Sequence, residues 1–69
     1  MNYKEEDIQK IRHYISVHDQ CTVEDIMSHS GAEKLRVYSI LFELEQAGEI
    51  EVTERSFLGA AKKVKAAVS

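Results

Sequence analysis

The 69-residue chain contains no proline, one cysteine, three glycines and five aromatic side chains. Cys21 alone cannot close an internal disulfide, so a reducing, cytoplasmic setting is expected. With no proline-marked linker, internal repeat or low-complexity segment, residues 1–69 read as a single domain. No apolar run approaches the roughly 18 residues that a membrane span needs, and the acidic N-terminal stretch lacks a signal-peptide pattern. The glycines Gly31, Gly48 and Gly59 stand apart and build no phosphate loop. His13, His18, Cys21 and His29 lack the paired CxxC or HxxxH spacing that fixes two metal ligands on one element, so no metal is expected. The carboxylates sit at capping and solvated positions without an apolar pocket, so neither catalysis nor a cofactor is expected.

What is present is globular in composition, with 43% hydrophobic and 30% charged residues. A chain this short rarely retains more than about 3–5 kcal/mol of net stability from its core. The net charge of −3 argues against indiscriminate nucleic-acid binding. Its distribution is uneven. Residues 1–54 hold all 12 acids against five of the nine bases, whereas the last fifteen residues hold Arg55, Lys62, Lys63 and Lys65 and no acid.

Asn2 and Glu5 have the spacing of a capping box, and Glu5, Glu6 and Asp7 suit the positive end of a helix dipole. Ile8, Ile11 and Ile15 form an apolar stripe, which predicts a first helix over about 3–18. Cys21 is expected to add a short strand. Thr22 is a good N-cap, with Asp25 at the capping-box position, for a short helix burying Val23, Ile26 and Met27. That helix ends near Ser30, where Gly31 fits the left-handed stop. A cysteine just before such a helix start is where a thiol pKa is lowered, the requirement for redox sensing.

Ala32 and Leu35 are expected to anchor the next turn. A third helix over about 33–47 follows, with Val37, Leu41 and Leu44 inward and Gly48 ending it. Residues 49–54 alternate with period two, so Ile50 and Val52 face the core. Residues 55–59 form a hairpin tip and 61–67 a returning strand, with Val64 and Ala66 inward and Lys63 and Lys65 outward. Phe57, Ala61, Val64 and Val68 also sit at helical spacing, and Ala and Lys favour helix. The hairpin is preferred because Glu49 and Glu51 then gain cationic cross-strand neighbours.

In this order of elements, TVEDIMSHSG and RVYSILFELEQAGEIEV resemble the winged helix-turn-helix superfamily of bacterial and archaeal DNA-binding regulators, over about residues 4–66. TVEDIMSHSG is similar to helix 2 of that superfamily. RVYSILFELEQAGEIEV is similar to its recognition helix, the Ala-Gly stop and the first wing strand. The resemblance implies an α+β fold: a three-helix winged helix-turn-helix with a small antiparallel β-hairpin wing. It implies double-stranded DNA as partner, read by Lys34, Arg36, Tyr38 and Ser39, with Arg55, Lys62, Lys63 and Lys65 gripping phosphates. So short a regulator is expected to act as a homodimer, with helix 1 or the tail as the interface. Phe42 and Glu43 depart from the pattern, where Lys, Arg or Gln is usual. With Phe57 and Leu58 at the hairpin tip, Phe42 defines the alternative, a protein-protein interaction module that does not bind DNA.

Overall fold

The computed structural model describes residues 3–67, so the Asn2 cap and the Val68 position lie outside the described residues. The elements run α1 (Tyr3–Val17), β1 (Cys21–Thr22), α2 (Val23–Ser30), α3 (Lys34–Gln46), β2 (Ile50–Arg55) and β3 (Ala61–Ala66). The class is α+β, three helices against a small antiparallel sheet in the order β1-β3-β2.

Local chemistry explains most boundaries. Thr22 Oγ1 accepts from the Asp25 N–H at 3.1 Å, satisfying one of the orphan donors at the start of α2. Gly31, at φ 73°, ends α2 in the left-handed conformation, its N–H reaching Met27 O at 2.9 Å. After α3, Gly48 N–H donates to Glu45 O and Glu49 N–H to Leu44 O, the paired bonds of a Schellman stop. The chain then turns straight into β2.

The returning segment is a strand. Val52 pairs with Val64 and Glu51 with Lys65, while Cys21 pairs with Val64 from the other side. This makes β3 the central strand and Val64 the residue where sheet and helices meet, fully buried. The β2–β3 register shifts on either side of Glu54, an irregularity that bends the hairpin beyond Val52.

Ile11 and Ile15 of α1, Val23 and Ile26 of α2, and Val37, Leu41 and Leu44 of α3 pack with Ile50 and Val64 in one core. Three expectations need correction. Leu35 is no anchor: it is 80% exposed, because it lies on the opposite side of α3 from Val37 and Leu44. Ile40, absent from the expected core face, is fully buried. Glu49 is matched by Arg12 of α1 and not by a strand lysine, with Arg12 Nε donating to Glu49 Oε1 at 2.9 Å.

Candidate functional site

Successive residues of α3 are turned by about 100°, so its surfaces can be assigned from the burial of its inner side. Val37, Ile40, Leu41 and Leu44 face the core. Leu35, Ser39, Phe42 and Gln46 therefore form the outward line. Arg36 lies roughly 160° around the helix from Tyr38, so the four residues expected to read DNA do not share one surface. Arg36 instead reaches α1, where its Nη1 donates to Asp7 Oδ2 at 3.1 Å. Lys34 stays beside Tyr38, its Nζ 6.0 Å from the ring centroid.

The hairpin cations are all matched by acids. Arg55 Nη2 donates to Glu45 Oε2 at 2.6 Å, tying the hairpin to α3. Lys62 and Lys63 lie 3.5 and 3.9 Å from the two oxygens of Glu54, and Lys65 lies 3.6 Å from Glu51. Exposed pairs of this kind contribute about 0–1 kcal/mol each, so a phosphate could replace any one carboxylate. The carboxylates would remain, however, and repel a polyanion.

Two grooves meet at Tyr38. The first lies between α3 and the hairpin, lined by Leu35, Ser39, Phe42, Val52, Gly59 and Ala60 among others. The other lies between the start of α2 and β3, where Lys34, Lys62 and Lys63 converge with Glu24 and Glu54. Beyond the first groove stands the hairpin tip. Phe57 is 97% exposed and Leu58 82%, and Phe42 on α3 is 62% exposed. With Leu35, these are four of the five large apolar side chains left exposed among the described residues; the fifth, Val17, lies at the end of α1.

The tip owes its shape to Ser56. Its N–H donates to Ala60 O at 2.8 Å, its carbonyl accepts from Gly59 N–H at 2.9 Å, and its Oγ accepts from the N–H groups of Leu58 and Ala60. Gly59 supplies the φ of 89° that the turn requires, and Arg55 Nη1 holds its carbonyl at 3.1 Å. Two large apolar side chains are thus displayed on a braced turn. Leu35 joins this face against expectation, although its i, i+4, i+7 alignment with Ser39 and Phe42 is a signal present in the sequence.

The other chemistry-bearing residues are structural. Cys21 is buried in the core; burial first, and the Asp25 carboxylate after it, push its thiol pKa up, the reverse of the activation that redox sensing needs. His18 stacks on Tyr14 with ring centroids 4.1 Å apart, and His29 tilts against the same ring at 4.5 Å. Among the described residues no three His, Cys, Asp or Glu side chains are grouped to hold a metal ion, and no helix is long and apolar enough to cross a membrane. Compared with known protein families, curated proteins and solved structures, the chain matches none.

Proposed function

We propose that this chain is a non-enzymatic winged helix-turn-helix module, working in the reducing cytoplasm, that docks an apolar protein segment through the face formed by α3 and the β2–β3 hairpin. The winged-helix reading is supported by the order helix, short strand, helix, helix, hairpin, with the first strand added to the hairpin's returning strand. The observation that carries the docking reading is Leu35 and Phe42, exposed along one line of α3 beside the Phe57–Leu58 tip. Large apolar side chains left exposed on neighbouring elements of a small domain mark contact sites. Panning a displayed peptide library on the protein tests it. Peptides with adjacent large apolar residues should be enriched, and Phe42→Ser should lose them while Lys62→Glu keeps them. Enrichment that ignores Phe42→Ser would sink the reading.

A different observation favours an alternative reading: the convergence of Lys34, Lys62 and Lys63 on the groove beside the start of α2. These lysines, with Tyr38 in the same groove and Ser39 in the adjoining one, suit the backbone of double-stranded DNA, and the role would then be transcription regulation. Arg55 and Lys65 would add phosphate contacts from the hairpin. Titration of a labelled duplex at low and moderate salt decides between the two. The DNA reading requires affinity whose salt slope falls by about one for each lysine changed to glutamate.

A further inference from the structure

We infer that the occupant of the α3–hairpin groove is the Phe57–Leu58 tip of a second copy of this chain, each protomer seating its tip in the other's groove. The inference rests on the docking reading and supplies its partner.

Charge comes first. The groove is apolar along Leu35, Phe42 and Val52, and its charged lining residues, Glu45 and Arg55, neutralise each other at 2.6 Å. An uncharged apolar occupant therefore enters without stranding a charge, which a phosphate or a charged peptide would not. The Phe57–Leu58 pair has that chemistry, and it is the most exposed apolar pair among the described residues. The Ser56-braced turn fixes the backbone beneath it, so insertion orders two side chains and not a whole loop.

Area and symmetry agree. The four exposed side chains offer on the order of 500 Å² of apolar surface. A standard interface takes about 800 Å² from each partner, so this smaller patch fits a weak, concentration-dependent dimer. Tip and groove adjoin, since Gly59 and Ala60 form a groove wall directly after Leu58. A two-fold axis along that edge brings each tip to the opposite groove and closes the assembly at two copies.

Sedimentation equilibrium over a wide concentration range tests this with wild type, the tip variant Phe57→Ser/Leu58→Ser and the groove variant Leu35→Ser/Phe42→Ser. All four positions are exposed, and circular dichroism verifies that each variant folds. Wild type should be a dimer, and each variant should raise the dissociation constant about thirtyfold or more. Mixing the two variants should restore a dimer of intermediate affinity, because one intact tip then meets one intact groove. A patch-on-patch dimer predicts no such rescue, so failure of the mixture overturns reciprocal insertion. Wild type that stays monomeric, or variants that dimerise normally, overturn the second-copy inference. The docking reading is judged separately, by whether Phe42→Ser abolishes capture of the selected peptides.

Discussion

Arg36 on α3 and Asp7 on α1 form an ion pair at 3.1 Å in which the carboxylate is almost wholly buried. This pair joins two helices and takes Arg36 out of the surface that Tyr38 and Ser39 share. Removing the guanidinium leaves a buried carboxylate short of a partner, which costs more than the pair itself is worth. Arg36→Met is expected to lower unfolding free energy by about 1–3 kcal/mol. A double-mutant cycle with Asp7→Asn, read by chemical denaturation, should show coupling of at least about 0.5 kcal/mol. Zero coupling would mean that the pair does not hold α1 and α3 together.

Leu35 and Ile40 give the sharpest contrast on one helix. Ile40 is fully buried and Leu35 is 80% exposed. Ile40→Ala should cost about 2–5 kcal/mol, close to the whole stability of a chain this size. Leu35→Ala, compared at concentrations where both proteins are monomeric, should stay within about 0.5 kcal/mol of wild type. Thermal or urea denaturation of the two proteins checks both, and a costly Leu35→Ala would mean that the outward line of α3 is packed after all.

These two residues also mark where the sequence is legible. Regular local signals reappear in the fold: the Thr22 cap, the Gly31 and Gly48 stops and the alternation bringing Ile50 inward. Leu35 misleads because a leucine just after a turn resembles an anchor, whereas its angular position on α3 makes it surface. Arg36 misleads for a related reason. Sequence spacing places it on α3, but only tertiary packing brings Asp7, 29 positions earlier, within reach. Likewise Glu49 faces Arg12 across 37 positions, which no local pattern encodes. The candidate face is legible in all but one of its four residues, since Phe42, Phe57 and Leu58 stand out as exposed apolar residues and Leu35 does not.

Thr22 joins β1 to α2, so its cap is under test from both elements. Thr22→Ala removes the acceptor for Asp25 N–H and should cost about 1 kcal/mol. Gly31→Ala is a complementary probe. An added Cβ there meets no atom within 4 Å, so any loss reflects only the left-handed backbone at φ 73°. That loss should be about 1–2 kcal/mol. A neutral Gly31→Ala, measured by denaturation, would mean that α2 can end in another conformation.

Cys21 links stability to pH in a definite direction. Burial and the nearby Asp25 carboxylate raise its thiol pKa, so the folded protein keeps the proton at pH values where the unfolded chain has lost it. In that window the native state binds more protons, and stability falls as pH rises through it; below the ordinary thiol range this group contributes no slope. Comparing Cys21→Ala with wild type isolates the effect from the lysines, which titrate in both proteins. The variant starts from lower stability because a core side chain is trimmed, but its stability should decline less steeply in alkali. A disulfide reagent gives an independent readout. Because the thiol is buried, labelling should proceed at the rate of opening of the fold and accelerate with added urea. Rapid labelling under native conditions would contradict the burial of Cys21 against Val64 and reopen a redox role.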